Sequence, residues 1–133
     1  MKQVLIDTNA YSYLLRGDAV VEREIAAATE VLVSVITLGE LYLGFNEGKQ
    51  LKGNLEDLGN FLKKPSVKVV DIDAGVAVTY GQVKYALRKK GTPISENDVW
   101  IAAQAIEVKA ELITYDRHFL VVPRLKLWKE LKN

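Results

Sequence analysis

The chain has no cysteine, so disulfides and thiolate metal sites are both excluded. It has a single histidine and three prolines, and its formal net charge is only +1. That balance gives no global attraction to nucleic acid, so any such binding must come from a local patch. No apolar run reaches the roughly 18–20 residues of a membrane span. Met1-Lys2-Gln3 leads straight into an apolar segment with no signal-peptide core, which, with the missing cysteine, makes a cytoplasmic location the expectation. What remains is 133 residues, 49% hydrophobic and 26% charged, the composition of one soluble globular domain.

Short apolar segments alternate with amphipathic ones. Strands are predicted at Val4–Ile6, Val31–Ile36, Val67–Val70 and Glu111–Thr114, with a further short one at Leu125–Leu127. Helices are predicted at Ala10–Arg16, Ala19–Ala28, Leu38–Glu47, Asn54–Lys63, Ala74–Lys90 and Glu96–Lys109. Gly17 and Gly91 fall where left-handed C-caps belong, and Pro65 and Pro93 block helix continuation. The alternation implies an α/β fold with helices layered on a mainly parallel sheet.

Ligands of such sheets bind outside the carboxyl ends of the strands. Asp7 directly follows the first strand, and Asp116 lies just beyond Glu111–Thr114. Glu40 is placed in the first turn of the helix after Val31–Ile36, and Asp98 in the first turn of the helix from Glu96. Each acid alone has an ordinary explanation. "TLGE" at Thr37–Glu40 reads as a capping box, "SEND" at Ser95–Asp98 as a looser one, and Asp7 and Asp116 as turn residues. Taken together they imply more: carboxylates sharing one pocket cannot all stay ionised unaided. An all-oxygen site without cysteine suits a hard ion, Mg²⁺ or Mn²⁺. Asp98 shares a helix face with Ile101, Ala102 and Ala105, which places it at the edge of the core.

"LIDTN" at Leu5–Asn9, "TLGELYLG" at Thr37–Gly44, "PISENDVWIAAQAI" at Pro93–Ile106, and "LITYDRHF" at Leu112–Phe119 followed by "VP" occur in this order across almost the whole chain. Together they resemble the PIN-domain family and, within it, the toxin ribonucleases of VapC-type toxin–antitoxin pairs. The resemblance implies a single PIN-like nuclease domain over residues 1–133, with a three-layer α/β fold. It implies a Mg²⁺- or Mn²⁺-dependent endoribonuclease using Asp7, Glu40, Asp98 and Asp116, with Asn9 and Thr114 as supporting polar groups. It further implies an RNA substrate, a cognate antitoxin, homodimers and larger assemblies with the antitoxin. Arg124 departs from the family pattern, which often has glycine after "VP".

The residues support this chemistry without the family. Phosphodiester hydrolysis needs an activated water and neutralisation of the phosphoryl oxygens, and carboxylate-held divalent ions supply both. No Ser–His or Cys nucleophile is available, and His118 beside Phe119 reads as a surface residue. Arg16 and Arg117, close in sequence to the acids, are candidates for RNA phosphate contact. The charges of "ALRKKG" at Ala86–Gly91 read first as complements of a helix dipole. Leu43, and Leu14 with Leu15, fall on more than one helix face, which points to a second buried surface. The alternatives are a PIN nuclease that is not a toxin, a receiver-like Mg²⁺-binding signalling domain, an aspartate phosphatase, and an interaction module whose acids only cap helices. A receiver would want adjacent acids after the first strand and a Lys after the last. The phosphatase pattern wants Asp where Asn9 stands.

Overall fold

Residues 2–132 are described in a computed structural model of the chain. Four parallel strands, β1 (Gln3–Ile6), β2 (Glu30–Ser34), β3 (Val67–Val70) and β4 (Glu111–Ile113), are ordered β3-β2-β1-β4. Val4, Leu5 and Ile6 of the central strand β1 are wholly buried, as a continuous apolar run in a parallel sheet requires. Side chains of alternate residues point to opposite faces and feed two separate cores. Leu5, Leu32 and Leu112 pack with Val83 and Leu87 of α5 (Ala74–Lys90) and with Ile101, Ala102 and Ala105 of α6 (Glu96–Val108). Val4, Ile6, Val31, Val33 and Ile113 meet α1 (Thr8–Leu15), α2 (Ala19–Ala27), α3 (Val35–Glu47) and α4 (Leu51–Leu62) through Tyr11, Val21, Leu41, Leu58 and Phe61. The result is the three-layer α/β arrangement that the alternation predicts.

The end of the second strand differs because a polar residue competes with β-branched ones. The second strand stops at Ser34, whose hydroxyl accepts from the Ile36 N–H and caps α3. Thr37, predicted as that cap, is instead buried within the helix. Glu40 therefore belongs to the second turn of α3 and not the first, and the capping box read at Thr37–Glu40 does not form. Leu125–Leu127 is not a strand but a single parallel bridge, Leu112 to Leu127, leading into the short α7 (Lys129–Lys132). Gly17 and Gly91 adopt positive φ at the helix ends predicted for them. Lys109 makes the same left-handed turn after α6 without glycine. Arg124 has φ 68°, so the position where the family often has glycine keeps the glycine-like backbone. Its guanidinium donates to Gln82 Oε1 at 2.9 Å.

β1 pairs with β2 on one side and β4 on the other, and their connections depart in opposite directions. That switch point opens a crevice beyond the C-termini of β1 and β4. Among the described residues no helix is long and apolar enough to cross a membrane.

Candidate active site

Asp7 ends β1 and starts α1. Its N–H donates to the Ile113 carbonyl at 3.3 Å, which fixes it beside the end of β4. Its carboxylate caps α1, Oδ1 accepting from the Ala10 N–H at 2.8 Å. Oδ2 accepts from the Thr114 hydroxyl at 2.5 Å, and Thr114 Oγ1 accepts in turn from the Asp116 N–H at 2.9 Å. Thr114 is fully buried, so this chain of bonds locks the two strand ends together.

Asp116 caps a 3₁₀ turn, Arg117–Val121. Its carboxylate accepts from the His118 N–H at 2.9 Å and lies 2.8 Å from His118 Nδ1, on an imidazole 77% exposed. Asp98 lies in the first turn of α6, where its N–H donates to the capping Ser95 hydroxyl at 3.3 Å. Glu40 is oriented from two sides. Oε1 accepts from the Thr8 hydroxyl at 2.5 Å and Oε2 from the Asn97 amide at 3.3 Å.

A pocket of about 210 Å³ collects these groups: Asp7, Glu40, Asp98 and Asp116, with Thr8, Asn9, Ser95 and Ile101. The four predicted acids and Asn9 thus reach one cavity, and Thr114 stands behind Asp7. Arg16 and Arg117 do not line it. The Arg16 guanidinium lies over the Tyr13 ring at 4.9 Å, and Arg117 donates to the Leu131 carbonyl at 3.2 Å. Thr8, Ser95 and Asn97 were not predicted as site residues. Thr8 and Ser95 sit in the same motifs as the acids, so adjacency was the available signal. Asn97 lies next to Asp98 in sequence yet bonds Glu40 on another helix, a contact that only the packing of α3 against α6 creates.

The electrostatics are unbalanced. Burial pushes the Asp7 carboxyl up to about 6; the Thr114 and Ala10 hydrogen bonds pull against it, and the Asp98 and Asp116 charges add to the rise. Asp98 is raised as well, again first by burial, with Asp116 and Glu40 contributing repulsion and Ser95 opposing it. Among the described residues no Lys or Arg pairs with any of the four acids. Nor are three or more acidic or imidazole side chains gathered tightly enough to hold an ion alone. A small hard cation usually keeps several waters and takes only one or two carboxylates directly, so a polar pocket of about 210 Å³ suits it. The acids lining the pocket offer only oxygen donors, no Lys or Arg among the described residues offsets their charge, and Asp7 is desolvated. The residues fit a hydrated divalent ion.

The PIN domain family matches residues 4–125. Over 104 residues the chain is 32% identical to Ribonuclease VapC2 of Rickettsia felis, covering 77% of this chain and 76% of that one. Over 130 residues it is 27% identical to the tRNA(fMet)-specific endonuclease VapC of Salmonella typhimurium, covering 96% and 97%. The fold matches VapBC2 from Rickettsia felis, solved bound to a promoter DNA fragment, with a TM-score of 0.87 and 27% identity over 95% of this chain and 97% of that one. With the four acids lining one pocket, the chain belongs to the PIN-domain family and, within it, to the VapC ribonucleases.

Proposed function

We propose that the protein is the toxin of a toxin–antitoxin pair, a metal-dependent endoribonuclease that hydrolyses RNA phosphodiesters in the pocket of Asp7, Glu40, Asp98 and Asp116. The observation that carries this reading is the buried Asp7 carboxylate, set among three further acids, none of the four paired with a Lys or Arg among the described residues. An arrangement needed only for capping would not repay that desolvation and repulsion.

Asp7, Glu40, Asp98 and Asp116 would hold Mg²⁺ or Mn²⁺. When bound, the ion supplies an acidified water and neutralises charge on the phosphoryl oxygens. The chain supplies position. Thr114 and the Ala10 N–H fix both oxygens of Asp7, Thr8 and Asn97 aim Glu40, and Asn9 and Ser95 add neutral polar groups to the walls. Asn9 and Thr114 are supporting residues in this reading. Arg16 and Arg117 would contact RNA only after leaving the Tyr13 ring and the Leu131 carbonyl.

The antitoxin has an apparent seat. A hollow of about 580 Å³ between α1–α2 and α4, lined by Leu14, Leu15, Ile25 and Phe61 among others, suits an apolar peptide segment. Exposed Tyr42 and Leu43 on α3 offer a dimer face. The site needs no membrane, and a cytoplasmic location follows from an RNA substrate.

The test is incubation of the protein with transfer RNA and with unstructured RNA, in Mg²⁺, Mn²⁺ or EDTA. Cleavage in either metal and none in EDTA is expected. Cleavage in EDTA, or by Asp7→Asn at the wild-type rate, overturns the assignment. Light scattering at micromolar concentration checks the dimer, and a monomer there refutes it.

A further inference from the structure

Helix α5 carries Lys84, Arg88, Lys89 and Lys90 and not one acidic residue, in a chain whose net charge is +1. Its C-terminal half borders two hollows. One, of about 210 Å³, is lined by Lys84, Leu87, Arg88, Pro93, Ile94 and Val99; the other, of about 270 Å³, by Tyr80, Gly81, Lys84, Tyr85 and Arg88. Lys84 and Arg88 belong to both. Tyr85 is 63% exposed, a large aromatic ring left in water, with Lys89 Nζ 5.5 Å from its centroid. Tyr80, by contrast, is stacked on Trp100 at 3.9 Å and bonded to Glu96, which also holds Lys84. Arg88 and Lys89 make no side-chain hydrogen bond or ion pair among the described residues.

This surface adjoins the acidic pocket through the backbone. Pro93 and Ile94 line the first hollow, and Ser95, the next residue, lines the pocket of Asp7 and Asp98. Residues 93–95 therefore connect the acidic pocket to the hollow of Lys84 and Arg88, and these two side chains also border the hollow that holds Tyr85. The helix dipole explains why basic residues suit the last turn, but not the exposed Tyr85 or the shared hollows one turn earlier.

We infer that the C-terminal half of α5 is a docking surface for a single-stranded stretch of the RNA substrate beyond the scissile phosphate. Tyr85 stacks on a base, and Arg88 and Lys89 meet the flanking phosphates. The inference rests on the ribonuclease reading for the identity of the substrate. The chemistry is that of sequence-tolerant single-strand binding, in which aromatic platforms alternate with cations. A duplex hides its base faces and would leave Tyr85 unused.

The experiment is fluorescence anisotropy with a labelled single-stranded RNA of about 16 nucleotides, in EDTA so that binding is read without cleavage. Salt is varied from about 50 to 200 mM. Tyr85→Ala should weaken binding by about fivefold or more, the loss of one stacked base. Arg88→Gln with Lys89→Gln should lower the slope of log affinity against log salt by about 1.4, two single-strand phosphates. Lys49→Gln with Lys52→Gln, exposed and remote on the chain, serves as the charge-matched control and should leave the slope near wild type. Equal losses from control and α5 variants overturn the surface, since attraction would then be diffuse. Unchanged binding by the α5 variants overturns it too, as does tighter binding of a duplex of the same length. If Tyr85→Ala turns a dimer into a monomer by sedimentation, the face belongs to a second copy and the inference fails. Wild type that binds the strand through α5 yet cleaves no RNA in Mn²⁺ would refute the nuclease reading and leave the docking surface standing.

Discussion

Two aspartates eleven residues apart perform the same local task and titrate in opposite directions. Asp7 caps α1 and accepts from the Ala10 N–H; Asp18 caps α2 and accepts from the Val20 and Val21 N–H groups. Asp18 is held below the usual carboxylate range, first by the Val21 hydrogen bond, with Tyr115 and Val20 adding to it. Asp7 has comparable bonds and still rises to about 6, because burial and neighbouring acids outweigh them. A cap alone lowers a carboxyl; the environment of Asp7 raises one. The difference separates a residue that serves its helix from one whose helix-capping role is secondary to a site.

Asp7→Asn gives the sharpest break. Cleavage should fall on the order of a thousandfold, the loss of several kcal/mol of transition-state charge stabilisation. Stability should move the other way. The folded carboxyl titrates near 6 against an ordinary 3.8, so folding favours its protonated form. Below pH 4 both states hold the proton and the group is neutral to stability. Between pH 4 and 6 the unfolded chain has released it and the folded one has not, so metal-free stability falls with rising pH. Above pH 6 the full penalty stands, about 3 kcal/mol. Denaturant melts in EDTA should therefore show Asp7→Asn more stable than wild type at pH 7.5 and nearly equal at pH 4. A variant less stable at both pH values breaks the comparison.

Divalent ion should relieve the same penalty. Mn²⁺ at about a hundredfold excess over its dissociation constant would add about 2.7 kcal/mol to wild type by mass action. Asp7→Asn should gain little. Thermal melts with Mn²⁺ against EDTA read the difference, and an equal gain in both proteins places the ion elsewhere.

Thr114→Val acts on the opposing side of the balance. Removing the hydroxyl leaves a buried carboxylate oxygen short of a donor, at about 1.5–3 kcal/mol. Since that bond lowers the Asp7 carboxyl, its loss should push the carboxyl higher still and widen the gap between stability at pH 4 and at pH 7.5. The same melts measure it. A gap that stays constant would show that Thr114 only packs.

Much of this was legible in the chain, for physical reasons that vary by residue. Val4–Ile6 announces a strand buried on both faces because three consecutive apolar residues have no polar side to expose, and the acid after it must then lie at the end of the sheet. Gly17 and Gly91 mark left-handed turns because few other residues tolerate them. Where the signal was ambiguous the reading slipped. Val35 and Ile36 are β-branched and argue for strand, yet Ser34 ends it, since a buried hydroxyl capping an N–H outweighs propensity. Lys109 turns left-handed with nothing in its identity to say so. Asp7, read alone as a turn residue, caps α1, and Thr8 beside it aims Glu40 from 32 residues away. Contacts of that separation have no local trace. The guanidinium of Arg117 likewise depends on where the last helix lies, and the sequence next to Asp116 could not place it.

Asp18→Asn should have the smallest effect and the opposite sign to Asp7→Asn. Asparagine keeps an oxygen for the Val20 and Val21 N–H groups and for the Tyr115 hydroxyl, so the cap survives and only the charge is lost. The wild-type carboxyl is lowered on folding, so its contribution is present above the unfolded value and disappears as pH falls through the folded one. Asp18→Asn should therefore be slightly less stable than wild type at pH 7.5 and indistinguishable from it at pH 2, where Asp7→Asn also converges on wild type. Cleavage should be unchanged, because Asp18 lines no part of the acidic pocket. If the two substitutions instead shift neutral-pH stability in the same direction, the shared capping role governs both aspartates and the environment of Asp7 does not. If they diverge as expected, the sign of one stability difference at pH 7.5 tells the structural aspartate from the functional one without any assay of activity.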